Sequence, residues 1–379
     1  MLITSKNRSN IHKSRGKDMI IMYLKLDNFY AFKNFELNMS YPKKIIKSPI
    51  DDEFLPAYTN FRYKKINIIF GSNATGKTTL GKAMMNILNF ITHKNTSALE
   101  KSMLDASKPA SFCIDYIVDA PKLNRIILNI IPEADGKKRY DFSYDSEKIK
   151  SRDSYQTCVT RLEERGRTLS DYNITLDTLE SLGWMFSYPE SRLFTLNNIK
   201  QETQLKALKA ILMTLDPSIK NVKLLKGVKD TSFIIDKDNR EILLQNGILT
   251  DPDIFSSGTR DGINISGIMA GIMEHNYKFY YCDEQFSYIS SAIEKRILGI
   301  MISKLLPGEQ LFFTTHNETI MEENYPKHSF VFLVREDNQI KAKYANDYVQ
   351  KPTDNLRRAV ENDVIRMIPD DSNLDILED

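Results

Sequence analysis

The sequence predicts an α/β fold: a mixed sheet around one buried strand that leads into a glycine-rich loop, with an antiparallel β lobe and a helical insert. Three observations predict it. Residues 66–79 read as an apolar strand, a glycine-rich loop and a helix. Two further apolar runs, 278–284 and 310–317, end in carboxylates and in Thr-Thr-His. Residues 111–118, 125–131 and 138–144 read as short strands separated by Asp119-Ala120-Pro121 and Asp135-Gly136, the residue types of tight turns.

Composition bounds the rest. A chain of 379 residues holds one large or two modest domains, and 41% apolar residues suffice for a core. The net charge of +2 argues against dominant non-specific nucleic-acid binding but leaves room for local basic patches. Cys113, Cys158 and Cys282 are too widely spaced for a metal pattern and fit reduced thiols of a cytoplasmic protein. No apolar run approaches the length of a membrane span. Residues 1–18 are basic without an apolar core, so a disordered N-terminal arm is expected rather than a signal peptide. The structured pattern begins near Met19 and Met22, either of which would also serve as a start of translation.

In chain order, residues 20–26 and 35–39 read as strands joined by a turn over 28–34. The aromatic Phe29, Tyr30 and Phe32 of that turn either stack on an adenine or pack the hairpin; Phe32 is carried forward as a nucleotide contact. Residues 41–59, with Pro42, Pro49 and Pro56, read as a loop. The next loop fits G-x-x-x-x-G-K-[ST] through Gly71, Ser72, Asn73, Ala74, Thr75, Gly76, Lys77 and Thr78, followed by Thr79. The two glycines let backbone N–H groups close round a phosphate. Lys77 supplies a point charge to the β/γ-phosphates, Thr78 a hydroxyl for Mg²⁺, and the helix its N-terminal dipole. Leu80, Met84, Ile87, Leu88 and Ile91 give that helix an apolar stripe. Residues 93–109 read as loop and short helix.

Residues 147–171 are strongly charged and read as a solvated helical face. Residues 172–198 hold the single tryptophan, Trp184, and a break at Tyr188-Pro189. Residues 202–215 form an amphipathic helix (Leu205, Leu208, Ile211, Leu212, Leu215) that stops at Asp216-Pro217. Strands are expected over 222–225, 231–235 and 241–244. No heptad run, internal repeat or low-complexity tract is present.

The second half of the candidate site lies downstream. Ser257-Gly258 opens a helix over 260–275 whose Gly258, Gly262, Gly267 and Gly271 alternate with apolar residues. Such a pair offers a hydroxyl and free N–H groups to an anion, although taken without its neighbours it reads first as an ordinary cap with a glycine packing face. Asp283-Glu284 ends an apolar strand: Asp283 is placed to hold Mg²⁺ and Glu284 to polarise an attacking water. His316, one of five histidines, ends the next strand and is placed to reach a γ-phosphate.

This order of motifs resembles the ABC-type ATPases. More narrowly it looks like their soluble RecF-like and chromosome-maintenance-like branch, which includes the "overcoming lysogenization defect" proteins and many phage-defence ATPases. The resemblance spans residues 19–333, with a diverged middle. Ser257-Gly258-Thr259 stands where transporters carry Leu-Ser-Gly-Gly-Gln, and Phe286-Ser287-Tyr288-Ile289 replaces a Ser-Ala-Leu-Asp type of loop. Gln156 is the candidate for the Q-loop glutamine.

The resemblance implies ATP and Mg²⁺ as cofactors, slow hydrolysis, and an ATP-dependent homodimer or higher oligomer. In that dimer Ser257-Gly258 of one head closes on the nucleotide held by the other. It implies a single head over 19–350, with a helical insert over 147–215 and a C-terminal helix and acidic tail over 351–379. Strands over 330–334 and 340–344, a helix over 355–368 and a frayed end over 370–379 complete the expectation. Too few residues follow His316 for a further nuclease domain of ordinary size. The functional expectation is therefore a switch or scaffold controlling a separate effector, a nuclease or toxin, in phage defence. The alternatives are a DNA repair or replication ATPase holding nucleic acid across its dimer and, less favoured, the ATP-binding subunit of a transporter.

Overall fold

The strand Ile66–Phe70 is buried along its whole length, and the fold is arranged on either side of it. The computed structural model describes residues 3–4, 19–45, 48–118, 121–172, 175, 179, 182–188, 199–226, 231–349, 355–367 and 377. Among them, a seven-stranded sheet runs in the order Ile3–Thr4, Trp184–Ser187, Phe279–Asp283, Gln310–Thr314, Ile66–Phe70, Phe330–Glu336, Gln339–Tyr344. The five inner strands are parallel, and the two outer ones pair antiparallel. Parallel strands buried on both faces are continuous apolar runs, as in Ile-Asn-Ile-Ile-Phe and Gln-Leu-Phe-Phe-Thr. Asp283 pairs in register with Thr314, and Thr314 with Ile69. The polar strand ends therefore collect along one edge, the carboxyl end of the sheet, where open α/β sheets bind ligands.

Trp184–Ser187 corrects the expectation of one helical insert over 147–215. Those residues do supply the helices Tyr155–Glu164 and Gln201–Leu215. Between them, however, Trp-Met-Phe-Ser is wholly buried and pairs parallel with the Asp283 strand. Four contiguous residues carry no period that separates a buried strand from a piece of helix. The charged stretch behaves as expected: the helix Tyr155–Glu164 buries only Tyr155, Cys158 and Leu162.

The expected antiparallel lobe is a five-stranded sheet, ordered Phe35–Asn38, Met19–Asp27, Ala110–Val118, Lys122–Pro132, Lys138–Lys148. Its inner face packs on the phosphate-loop helix Lys77–His93, in a core that includes Leu24, Phe112, Leu128, Met84 and Ile91. On the opposite face of that sheet Asp115, with no exposed surface, is held by both arms of Arg125 at 2.7 Å and by the Tyr155 hydroxyl at 2.6 Å.

A four-stranded sheet, Ile219–Leu224, Ser232–Lys237, Arg240–Gln245 and Ile248–Leu249, contains the three strands expected in that region. It shares a second core with the helices Gln201–Leu215 and Ser257–Glu274. Gly262 lets those two helices approach closely, since a Cβ there would meet Leu215, Leu212 and Ile211. Residues 41–59 are not simply a loop, because Phe54–Leu55 pairs with Tyr58–Arg62. The C-terminal helix is Leu356–Glu361, shorter than expected. The tail over 370–379 lies outside the described residues but for Leu377, as does the N-terminal arm but for Ile3–Thr4. Those two residues form a strand at the edge of the main sheet, where the sequence suggests disorder.

Candidate functional site

The glycine-rich loop crosses the carboxyl end of the sheet and runs into the helix Lys77–His93. That helix has no side-chain cap and no acidic residue in its first turn, so its N–H groups and dipole are left for an anion. Gly76 holds φ +93, a conformation disfavoured for any residue with a Cβ. At Gly71 a Cβ would run into the Thr75 hydroxyl and the Leu333 carbonyl. Thr75 closes the loop by donating to the Ser72 carbonyl at 2.8 Å. Ser72 is half-buried, while Asn73 and Ala74 are exposed. Arg335 reaches over from the neighbouring strand to the Ala74 carbonyl at 3.3 Å.

Lys77 is buried, and its ammonium points back along the loop. It donates to the Gly71 carbonyl at 2.6 Å and the Ser72 carbonyl at 3.2 Å, and lies 3.1 Å from Glu284 Oε1. The Tyr281 hydroxyl donates to the Lys77 carbonyl at 2.8 Å, and its ring lies where a Cβ on Gly81 would stand. The strand that carries the carboxylates thus also fixes the height of the helix that carries Lys77.

Asp283 has no exposed surface. Its Oδ1 accepts from Thr314 at 2.7 Å, and its Oδ2 has no hydrogen-bond partner. Burial pushes its carboxyl up to about 6, against the opposing pull of the Thr78 and Thr314 hydroxyls. A buried carboxylate oxygen without a hydrogen bond, on an acid that also feels the Thr78 hydroxyl, is a donor set that fits a hard cation. Among the described residues no group of three or more His, Cys, Asp or Glu side chains gathers to hold a metal. Mg²⁺ takes one or two protein oxygens and draws its other ligands from phosphate and water.

Glu284 stands at φ +43, in the left-handed region, with its N–H on the Thr314 hydroxyl at 2.9 Å. Its Oε1 lies 3.0 Å from His316 Nε2. Burial alone would raise its carboxyl; the hydrogen bond from His316 and the Lys77 charge outweigh that and hold it below the usual range. Lys77, Glu284 and His316 therefore meet at one point, with Asp283 next to Glu284 and Thr78 close to Asp283. The sequence did not assign Thr314. Its one hydroxyl donates to Asp283 and accepts from the N–H of Glu284, so it sets both carboxylates. The signal available was a hydroxyl in register with the first acid on the adjacent strand.

Ser257 and Gly258 open the helix Ser257–Glu274, but the cap is Ser256, whose Oγ accepts from the Thr259 N–H at 3.2 Å. Ser257 is left half-buried, accepting only a 3.3 Å contact from Arg260. A Cβ on Gly258 would meet the Tyr288 carbonyl, so this glycine allows the loop after Glu284 to lie against the helix. Tyr288 itself is 72% exposed. Thr78, Glu284, Ser257, Arg260, Asn264 and Tyr288 all line one cleft of about 780 Å³.

Two sequence expectations change. Phe32 does not face a nucleotide: it has no exposed surface and packs on Phe35 at 4.6 Å and behind Gly76. An apolar ring beside the loop gains more from the core under it than from a solvent-facing base. Phe29 is buried likewise, and the Tyr30 hydroxyl accepts from Asn86. Gln156 opens the helix Tyr155–Glu164 and donates to Ser40 at 3.2 Å; it takes no part in the cluster around Thr78 and Asp283. Thr79, half-buried, follows Thr78 in the first turn of the loop helix.

No family model matches the sequence, and no curated protein does. Solved structures are similar throughout the chain. An Smc head bound to the C-terminal winged-helix domain of ScpA aligns with a TM-score of 0.51 at 15% identity, over 85% of this chain and 96% of that one. The Smc head with coiled coil and joint from Pyrococcus yayanosii gives 0.52 at 10% identity, over 91% and 99%. The Smc head bound to the C-terminal domain of ScpA, derived from Pyrococcus furiosus, gives 0.50 at 14%, over 92% and 100%. The fold is that of an Smc head domain. Among the described residues, no helix is long and apolar enough to cross a membrane.

Proposed function

We propose that this chain binds and hydrolyses ATP and uses the cycle as a switch. The observation that carries the reading is the junction of Lys77, Asp283, Glu284 and His316 with the uncapped helix end behind the loop. With nucleotide in the loop, the Lys77 ammonium exchanges its two loop carbonyls and Glu284 for phosphate oxygens. Glu284, freed from Lys77, accepts a proton from the attacking water, while His316 stays on the same Oε1 that Lys77 leaves. Thr78 and Asp283 would hold Mg²⁺, which supplies charge to the phosphate oxygens.

The same reading gives Ser257 and Gly258 to a second copy. A helix N-terminus gains most when a phosphate lies in front of it, and Ser257 opens onto the cleft rather than into its own core. ATP then joins two heads and hydrolysis releases them, so turnover is slow and the product is a change of assembly. The output we assign is control of a separate effector, a nuclease or toxin, in defence against phage. It rests on the resemblance of the motifs and on analogy of fold.

A second reading, in which the dimer holds nucleic acid, is favoured by exposed Lys206, Lys209, Lys220 and Lys226. Lys206 and Lys209 lie on the helix Gln201–Leu215 and Lys220 on the strand Ile219–Leu224 beside it, where Lys209 reaches Asn221, and Lys226 follows that strand.

The test is the mass of the Glu284→Gln protein in solution with and without ATP and Mg²⁺. A dimer formed only with ATP is the expected result. A mass indifferent to ATP removes the two-head mechanism. Salt-sensitive DNA binding by that dimer selects the second reading.

A further inference from the structure

His316 is 43% exposed at its side chain, so packing does not fix its ring. Its neighbours in the chain are fixed. Thr315 donates its hydroxyl to Glu294 Oε1 at 2.6 Å, and Asn317 donates its amide to Glu294 Oε2 at 2.8 Å. The Thr315 oxygen also accepts from the Asn317 N–H at 2.9 Å. One carboxylate therefore clamps the residues on both sides of His316.

Glu294 is an unusual residue to find there. It lies in the first turn of the helix Ser291–Lys304, whose buried residues are Glu294, Ile297, Leu298 and Met301. That spacing is the apolar stripe of a surface helix, and its first position calls for an aliphatic side chain. Glu294 is instead a carboxylate with 3% exposure, and burial raises it above the usual carboxylate range. Burying an acid is costly without compensating bonds. Both of its hydrogen bonds go to the residues flanking His316. Glu284, Glu294 and His316 line one cavity of about 430 Å³.

We propose that Glu294 is a positioning residue for ATP hydrolysis: it sets the backbone of residues 315–317 so that His316 Nε2 meets Glu284. The inference rests on the ATP-hydrolysis reading above and adds a residue outside the phosphate loop and the paired acids. Glu294 touches neither Glu284 nor the loop. Its effect should therefore fall on turnover and spare nucleotide binding.

The variants are Glu294→Leu, which completes the apolar stripe and preserves packing, and Glu294→Gln. The glutamine carbonyl can accept from Asn317 while its amide donates to Thr315 Oγ1, so both contacts survive. For Glu294→Leu we expect kcat to fall roughly tenfold or more, with KM and ATP affinity within about twofold of wild type. For Glu294→Gln we expect kcat within about threefold of wild type. In a His316→Ala background, Glu294→Leu should cost nothing further. An unchanged kcat in Glu294→Leu, an equal loss in Glu294→Gln, or a full loss remaining in the His316→Ala background would each overturn the assignment.

The His316 imidazole signals, picked out by comparison with His316→Ala, are read by NMR in the same proteins. They should shift in Glu294→Leu and hold in Glu294→Gln. This readout needs no turnover. If wild type fails to hydrolyse ATP, the functional reading falls, while the signals still decide whether Glu294 places the ring; an unmoved His316 signal in Glu294→Leu overturns the placement itself.

Discussion

The two ends of the 780 Å³ cleft are built differently. At the Thr78 end, polar atoms are already committed to one another. Lys77 sits on two carbonyls and Glu284, Asp283 on Thr314, and Glu284 on His316. At the Ser257 end the cap is made by Ser256, and Ser257 has little to do within its own chain. The first end is a preorganised pocket whose groups need only exchange partners. The second is a surface that gains meaning from whatever is placed against it. Under the proposed function the difference would separate binding and chemistry, carried by one chain, from assembly, controlled by the Ser257 end.

The comparison can be broken at either end. The largest effect is expected for Glu284→Gln, which should lower kcat about 10²- to 10⁴-fold while ATP still binds. Normal hydrolysis in that variant removes Glu284 as the base. Lys77→Ala should weaken ATP affinity roughly 10- to 100-fold, the worth of one charged hydrogen-bond donor on phosphate; titration calorimetry with ATP and Mg²⁺ reads it, and unaltered affinity rejects the loop assignment. Arg125→Met probes the lobe behind the loop. It leaves Asp115 buried without its charge partner and should cost about 3–5 kcal/mol in denaturant unfolding. Thr314→Val removes the hydroxyl shared by both acids at nearly constant volume, and about 1–3 kcal/mol of stability is expected to go with it. The smallest effect on single-head properties is expected from Gly258→Ala. Its Cβ displaces Tyr288, so ATP affinity should change less than about twofold while ATP-dependent dimerisation is lost. If dimerisation survives, the Ser257 end is not the assembly surface.

Much of the Thr78 end is legible in the sequence because a buried parallel strand is a short apolar run, and its chemistry follows directly at its carboxyl end. Ile66–Phe70 leads into Gly71, Phe279–Asp283 into Glu284, and Gln310–Thr314 into His316. What was not legible depends on partners far apart in the chain. Thr314 serves Asp283 from 31 residues away and Glu284 from 30, and Glu294 serves Thr315 from 21. A hydroxyl or a carboxylate has no local pattern that names such a partner. Phe32 was misdirected because an aromatic ring near a nucleotide loop suits either a base or a core, and only the fold shows Phe35 and Gly76 waiting for it. Trp184–Ser187 was too short to show a period.

Glu284 has one more consequence. Its backbone lies at φ +43, a region that glycine enters freely and that costs a side-chain-bearing residue about 1–2 kcal/mol. The chain keeps a carboxylate where the local torsions would favour glycine. Glycine at 284 would relax that torsion but leave the buried Lys77 ammonium without its carboxylate, so a screen that selects only for heat resistance should keep the acid in spite of its backbone.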